Sequence, residues 1–456
     1  MELERDIYQE LIKWKKRDSG KVLELKGARQ TGKTFILDKF ARENYKQYLY
    51  INMAQSSGEE FMTCVEEAEV WSPGQPRVAK TLHRALQLFD SRFQDDKDTI
   101  IIIDEIQESS KIYSRIREFA REFQCHVIVT GSYLGKTVEK EYFLPAGDTE
   151  DLIMDTLSFE EFLGAMGKRD VYESIDLYGG DRHDLYDELK RLYDVYCEIG
   201  GYPAVVKQYL ETKNKADCKR ILRQVIRIFI EESTRYFQGI PDVNLFEQIF
   251  PAIAQLSARE KKGADDLIAE LSKIIFKEES NRTTKRSINN AVAWLYRSDI
   301  IGYCGKAVEC DSTDTRANMR FYFRDLGVAD FFLKTGGIKS AALAGYINEN
   351  FVYLDLLKRC RRMEIAGMAP MFGTYKTGEI DFFVSSIAND KDYGVEVKAG
   401  DAAAKTAHAL LRDGRVEAVY FLKGGTYGGC DGRSITIPIY LVQRVEFNFE
   451  RSRRMR

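Results

Sequence analysis

The chain has 456 residues, of which 44% are hydrophobic, 30% charged and 12% aromatic, the composition of an ordinary globular protein rather than a disordered or fibrous one. Its 68 Lys and Arg nearly cancel 71 Asp and Glu, leaving a formal charge of −3, so a globally basic coat for nucleic acid is excluded and any polyanion contact must come from local patches. At roughly 150 residues per domain, the length predicts about three domains, each able to bury its own core.

The opening MELERDIYQELIKWKK is charged and amphipathic with no apolar h-region, so no signal peptide is expected. No apolar run approaches the roughly 18 residues of a membrane span. Eight cysteines (Cys64, Cys125, Cys197, Cys218, Cys304, Cys310, Cys360 and Cys430) are spread along the chain without a C-x-x-C pair, and the four histidines form no H-E-x-x-H. Buried thiols in a reducing compartment are expected, and a His/Cys zinc site is not. These features predict a cytoplasmic protein with no membrane partner.

The first third alternates strand and helix. Val22–Gly27 (VLELKG) reads as a short strand, 34–44 has helical spacing, 48–53 is a strand, 99–103 is an uncharged β-branched run, and 126–130 (HVIVT) is another buried strand. Near-continuous apolar strands between helices predict a parallel sheet covered on both faces. After SFEEFL (158–163) the pattern turns helical, with helices over 184–198 and 215–236 separated by GGYP (200–203), read as an all-helical lid. From Pro251 to Cys310 three short helical patterns end in a helix over 287–297 and the apolar segment DIIGYC, an order resembling a winged helix-turn-helix. Only 8 prolines occur, and none between Pro251 and Pro370, so that stretch is free to be largely helical. From about Asp311 the chain returns to mixed α/β, with strands at 320–323, 379–384, 393–398, 418–421 and 435–442, before a basic, frayed tail over 450–456.

The segment Gly27-Ala28-Arg29-Gln30-Thr31-Gly32-Lys33-Thr34 fits G-x-x-x-x-G-K-[ST] at every fixed position and lies between a strand and a helix. Glycines let the backbone N–H groups face phosphate oxygens, and the following helix presents its positive end. Lys33 would reach the β- and γ-phosphates, and the Thr34 hydroxyl would ligate Mg²⁺. The buried run Thr99-Ile100-Ile101-Ile102-Ile103 then ends in Asp104 and Glu105. Asp104 is expected to hold Mg²⁺ through water and Glu105 to polarise the attacking water. The competing reading of paired acids at a strand end is a helix N-cap. Thr130, in Thr130-Gly131-Ser132, stands where a γ-phosphate sensor would sit, although a plain turn accounts for it equally. Asn52, at the end of its strand, is expected to hydrogen-bond Glu105 and restrain it. ATP and Mg²⁺ are thus the predicted cofactors.

GARQTGKT, IIIIDEIQ, VTGSYL, LSFEEFL and GGYP, in this order, resemble the prokaryotic AAA-type ATPases that carry a C-terminal domain of unknown function, a group related to archaeal ATPases with nuclease-like tails. The resemblance runs from about Leu25 to about Gly400. It implies an ATP-binding core of the additional-strand, catalytic-glutamate class, a helical and winged-helix middle, and a C-terminal domain similar to the PD-(D/E)xK nucleases. It supplies no substrate.

In that last region, strands 379–384 and 393–398 flank the polar turn Asn389-Asp390-Lys391-Asp392. Pairing as a hairpin puts Asp381 opposite Glu396 and Glu379 opposite Lys398, and the period of two brings Glu396 and Lys398 to one face. Asp381 and Glu396 would hold Mg²⁺ or Mn²⁺, and Lys398 would orient the attacking water. The resemblance adds Glu349, in INENFVYLDLL, as an acid on a preceding helix. The chain departs from the motif's name in carrying Ile380, not Pro, before Asp381. A cross-strand ion-pair ladder, or an inactivated nuclease fold kept for binding, is the competing reading.

Two basic stripes remain. Arg282, Lys285, Arg286 and Arg297 accompany the buried stripe Ile288, Val292 and Leu295, and fit either a major groove or solvent. Lys219, Arg220, Arg223 and Arg227 share a side of the lid helix and leave open DNA, a neighbouring subunit's nucleotide or water. The predicted organisation is α/β: a P-loop NTPase parallel sheet as the core (1–165), a helical lid (166–245), a winged-helix module (246–310) and a mixed α/β nuclease-like domain (311–456). Expected partners are ATP, nucleic acid through the last two modules, and a protein partner or a second copy. The rival expectation is a nucleotide-dependent switch or scaffold whose nuclease-like domain is inactive.

Overall fold

The computed structural model describes residues 2–70, 81–132, 147–180, 183–236, 245–257, 267–275, 284–314, 320–338, 340–398, 404–425 and 427–454. They divide into two compact units: Arg5–Thr156 with Arg297–Asp299, and Leu157–Tyr296 with Ile300–Arg456 and Met1–Glu4. Arg282 of the expected basic stripe, Tyr133 and Leu134 of VTGSYL, and the end of the basic tail lie outside the described residues.

In the first unit α1 (Ile7–Arg17), β1 (Val22–Lys26), α2 (Lys33–Asn44), β2 (Gln47–Asn52), α3 (Ser56–Glu69), α4 (Thr81–Phe89), β3 (Thr99–Asp104), α5 (Ser110–Tyr113), α6 (Ile116–Glu122), β4 (His126–Thr130) and β5 (Thr149–Ile153) follow one another. The sheet is parallel throughout, in the order β2-β3-β4-β1-β5. Its first four strands are those predicted, and β5 adds an edge. β3 is buried at every position because its isoleucines alternate between two cores. Ile101 and Ile103 pack with Leu49, Ile51, Phe61 and Val127 beneath α3, α4 and α6, while Ile100 and Ile102 pack with Leu23, Leu25, Ile36 and Phe40 beneath α1 and α2. Each such side chain contributes about 1.5–3 kcal/mol of burial, so the strand that ends in Asp104 is anchored from both faces.

The second unit begins helically: α7 (Phe159–Ala165), α8 (Arg169–Ser174), α9 (His183–Ile199), α10 (Pro203–Thr212), α11 (Lys215–Tyr236), α12 (Leu245–Ser257), α13 (Leu267–Ile275) and α14 (Lys285–Arg297). Ser158 and Glu161 form a capping box at the start of α7, which is what the SFEEFL motif encodes. GGYP is equally structural. Gly200 has φ +74°, and a Cβ there would lie 2.1 Å from Asp325 Oδ1; Gly201 N–H donates to Asp325 Oδ2 at 2.8 Å and its carbonyl accepts from Leu157 N–H at 2.8 Å. Pro203 then fills the first position of α10.

The second unit continues with β6 (Ile301–Val308), β7 (Ser312–Thr313), β8 (Arg320–Phe323), α15 (Leu326–Thr335), α16 (Ser340–Arg361), β9 (Met371–Tyr375), β10 (Gly378–Ser386), β11 (Lys391–Lys398), α17 (Lys405–Arg412), β12 (Ala418–Lys423), β13 (Gly429–Asp431), β14 (Ser434–Pro438) and α18 (Phe449–Arg454). The nine strands form one mixed sheet ordered β13-β14-β12-β11-β10-β9-β6-β7, with β8 paired to β6. The proline-free stretch holds β6, β7 and β8 beside its helices, β8 being the strand expected over 320–323. One expectation is corrected. The strand expected over 435–442 stops at Pro438, whose nitrogen has no hydrogen to extend the ladder, and Ile439–Arg444 turns into a 3₁₀-helix.

Three of the four cations in the basic stripe on α11 are paired within the chain, and Arg223 lies 5.9 Å from the Phe331 ring centroid. Lys215 and Lys219 pair with Glu198, Lys334 stands 3.4 Å from the same carboxylate, Arg220 pairs with Asp217 at 2.8 Å, and Arg227 with Glu231 at 2.6 Å. Burial alone would raise the Glu198 carboxyl, but the hydrogen bonds and charges of the three ammonium groups outweigh it and hold it to about 2. A carboxyl lowered in the folded state stabilises above its unfolded value, and that contribution is lost as pH falls through the folded one. Replacing Glu198 by Gln is therefore expected to lower stability at neutral pH, with the gap to the wild type closing between about pH 5 and pH 2. Denaturant midpoints across that range, read from the second unit, check it.

Candidate nucleotide site

The phosphate loop runs from the end of β1 into α2. Gly27 has φ +141°, and a Cβ on it would stand 2.2 Å from Met154 O, so only glycine lets the loop leave β1 beside β5. Gly32, at φ +97°, is the residue before the first turn of α2, which starts at Lys33. Arg5 braces the loop from outside the motif: Nη1 donates to Thr31 O at 2.9 Å and Nη2 to Asp155 O at 2.6 Å. Inside it, Thr31 Oγ1 donates to Ala28 O at 2.9 Å. Lys33 is buried, with Nζ donating to Gly27 O at 2.7 Å and Ala28 O at 2.9 Å. Burial pushes its ammonium down to about 8 against the opposing pull of Glu105 and Asp104. A cation held on two carbonyls in a desolvated loop is a ready counter-charge for phosphate.

β3 delivers the acids. Asp104 is buried and takes three donors: Thr34 Oγ1 at 2.8 Å and Tyr50 Oη at 2.6 Å to Oδ2, and Glu105 N–H at 2.8 Å to Oδ1. Thr34 and Asp104 thus offer adjacent hard oxygen atoms, the donor set Mg²⁺ takes. Glu105 follows with φ +51°. Its Oε2 accepts from the Gln107 amide at 2.5 Å and from Ser132 N–H at 3.4 Å, and its Oε1 from Ser132 Oγ at 3.0 Å.

Two sequence expectations land elsewhere. Thr130 gives its hydroxyl to Leu25 O at 2.8 Å, inside the sheet, and Ser132, two residues later, is the hydroxyl that reaches Glu105. Asn52 lies opposite Asp104 in the β2–β3 register, but its Oδ1 accepts from Ala54 N–H at 3.0 Å and its amide is 3.4 Å from Tyr50 Oη; the donors on Glu105 are Gln107 and Ser132 instead. Tyr50, Arg5, Gln107 and Ser132 were not legible as site residues. The signal available for Ser132 and Gln107 was only their nearness in sequence to the acids and to the β4 exit.

A family model for the AAA domain matches residues 19–163. Those residues form an AAA-type, P-loop ATPase-like domain. A second model, for a domain of unknown function, matches residues 190–338. Similar solved structures include a Walker-type ATPase of Pyrococcus abyssi, 13% identical, covering 73% of this chain and 96% of its own with a TM-score of 0.45. Another is the ORC1 protein of Aeropyrum pernix in complex with DNA, 13% identical, covering 77% of this chain and 93% of its own with a TM-score of 0.30. No curated protein matches the sequence. An N-K-x-D tetrad, the pattern of a guanine reader, occurs once, at Asn214-Lys215-Ala216-Asp217. It belongs to the start of α11, where Asn214 Oδ1 accepts from Ala216 N–H at 2.9 Å, and it lies outside the AAA-type domain.

In the second unit the expected hairpin forms in the expected register, from Phe382 opposite Val395 to Ser386 opposite Lys391. Glu349 on α16, Asp381 on β10 and Glu396 on β11 are buried. Asp381 Oδ2 accepts from Val397 N–H at 2.7 Å, Lys398 Nζ stands 2.6 Å from Glu396 Oε1, and Tyr322 Oη donates to Glu349 Oε2 at 3.3 Å. Glu379 pairs not with Lys398 but with Arg320 at 2.6 Å, whose guanidinium lies 4.0 Å from the Phe372 ring centroid. The irregular step between Ile380 and Phe383 in the β9–β10 ladder removes the regular alternation that the Glu379 expectation assumed. Among the described residues, no three His, Cys, Asp or Glu side chains gather as metal donors, so no step is routed through a C-terminal Mg²⁺ or Mn²⁺. Nor is any described helix long and apolar enough to cross a membrane.

Proposed function

We propose that this chain binds ATP with Mg²⁺ in Gly27–Thr34 and hydrolyses it, with Glu105 accepting the proton of the attacking water. The observation that carries the reading is the meeting, at one sheet edge, of the Lys33 loop, the Thr34–Asp104 pair and Glu105. Backbone N–H groups of Ala28–Gly32 and the start of α2 hold the phosphates, and Lys33 exchanges its two carbonyls for β- and γ-phosphate oxygens. The cation, when bound by Thr34 and Asp104, offsets charge on those oxygens. Water attacks the γ-phosphorus as the bond to the bridging oxygen breaks, Glu105 takes the proton, and ADP and phosphate leave. Ser132 replaces Thr130 as the hydroxyl beside the γ-phosphate. The N-K-x-D tetrad is spent on a helix start, which favours ATP over GTP.

In this reading residues 1–165 are the motor, 166–245 its lid, 246–310 a winged helix and 311–456 a nuclease-like domain, and the ATP state positions the last two on nucleic acid in the cytoplasm. The order α16-β9-β10-β11-α17-β12 and the hairpin register support the nuclease-like fold, and exposed Lys285, Arg286 and Arg297 on α14 support a nucleic-acid face. A second reading is a nucleotide-dependent switch or scaffold with a protein partner or a second copy: Asp381 accepts from Val397 N–H, Lys398 pairs with Glu396 and Tyr322 donates to Glu349, contacts with which these side chains serve structure or binding rather than cleavage.

Lys33→Ala is expected to weaken binding of a fluorescent ATP analogue by tenfold or more and to abolish turnover. Unchanged binding would remove the nucleotide reading. DNA-stimulated turnover by the wild type supports the first reading. Tight nucleotide retention with negligible turnover, together with single-stranded DNA, duplex DNA and RNA left intact in Mn²⁺, supports the second.

A further inference from the structure

Asp104 Oδ2 receives two hydroxyls, and only one belongs to the phosphate-loop motif. The other is Tyr50 Oη, on the neighbouring strand, at 2.6 Å against 2.8 Å for Thr34. Tyr50 stands opposite Ile102 in the β2–β3 register and therefore reaches along the sheet toward the strand end where Asp104 sits. The Asn52 amide, two residues on and on the same face of β2, stands 3.4 Å from the same phenol oxygen. With Glu105 N–H on Oδ1, the carboxylate plane is fixed from both ends.

We infer that Tyr50 is a positioning residue for the nucleotide's divalent cation, holding Asp104 in the orientation that the cation and its waters require. The inference rests on the reading that the loop takes ATP with Mg²⁺. Thr34 alone does not fix the carboxylate, because its oxygen must also face the cation. Tyr50 lies outside the phosphate-loop motif and gives its hydroxyl to the acid. An outer partner of this kind usually tunes cation affinity by about ten- to a hundredfold.

The test uses the full chain, a fluorescent ATP analogue and a Mg²⁺ titration, with binding as the readout. In Tyr50→Phe, nucleotide affinity without metal is expected to match the wild type, the Mg²⁺ concentration at half-effect to rise about tenfold, and the ligand-free melting temperature to stay within a few degrees. Asn52→Ala, which loosens the phenol without removing it, is expected to shift the Mg²⁺ dependence less and in the same direction. An unchanged Mg²⁺ midpoint in Tyr50→Phe overturns the inference, as does an equal loss of affinity with and without metal, which would mark Tyr50 as merely structural. If the wild type binds the analogue and Lys33→Ala does not, the nucleotide reading stands whatever Tyr50→Phe shows. If the wild type binds none, both fall.

Discussion

Glu105→Gln is expected to leave ATP bound and to slow its hydrolysis by about 10²- to 10⁴-fold, the usual contribution of a positioned proton acceptor. The substitution keeps the size of the side chain and one of its two accepting positions but removes the carboxylate basicity. It is clean here because Glu105 is not a ligand of the loop. Thr34 and Asp104 are joined to each other at 2.8 Å, and Lys33 rests on Gly27 and Ala28, so these hydrogen bonds are kept while Lys33 loses only the pull of the Glu105 charge. The donors from Gln107 and Ser132 onto both Glu105 oxygens mean that a carboxamide must turn one N–H toward a donor, so a local rearrangement accompanies the loss of base. Single-turnover hydrolysis and analogue binding, measured on the same preparation, separate the two effects. A fall in affinity parallel to the fall in rate would assign Glu105 to binding and leave water activation without its base.

The site was legible where its chemistry is written locally, and opaque where it depends on a neighbouring strand. The loop, the buried β3 and its terminal acids are contiguous, so glycine geometry and apolar runs expose them. The register of the β10–β11 hairpin was also legible from the period of two about a polar centre, although the turn is 387–390 and Lys391 and Asp392 of the expected turn belong to β11. Tyr50 reaches Asp104 from 54 residues away and Arg5 reaches Thr31 from 26 residues away, and no spacing in the sequence carries those contacts. Thr130 misled for a physical reason. As the last residue of a strand flanked by β1 and β3, it finds a backbone carbonyl within reach, whereas Ser132 has left the ladder and can turn toward Glu105. Glu379 misled because one irregular step in an adjacent ladder sends it to Arg320. Tertiary contacts decide where a polar side chain goes once several partners lie within reach.

Arg359→Ala is expected to cost the second unit about 3–5 kcal/mol, the usual result of removing one member of a buried ion pair. Arg359, on α16, is buried beside buried Asp355 at 2.7 Å, and its remaining N–H groups donate to Val445 O at 2.8 Å, Val442 O at 3.1 Å and Gln443 O at 3.0 Å. Those carbonyls follow β14, which ends at Pro438; Val442 O also accepts from Val445 N–H at 3.0 Å, and the guanidinium supplies donors to the other two. Its loss strands a buried carboxylate together with the Val445 and Gln443 carbonyls, which is why truncation is expected to exceed the loss of any single hydrogen bond. Asp355→Leu combined with Arg359→Met is expected to cost less than the sum of the two single changes, since the pair then leaves no lone charge behind. Denaturant unfolding of the three variants measures this, and hydrogen exchange should show protection falling first over 439–445. ATP-analogue affinity serves as the control. The loop and Asp104 belong to the other compact unit, so nucleotide binding is expected to survive at denaturant concentrations where the second unit of Arg359→Ala has already opened. Simultaneous loss of both would show that the two units unfold as one.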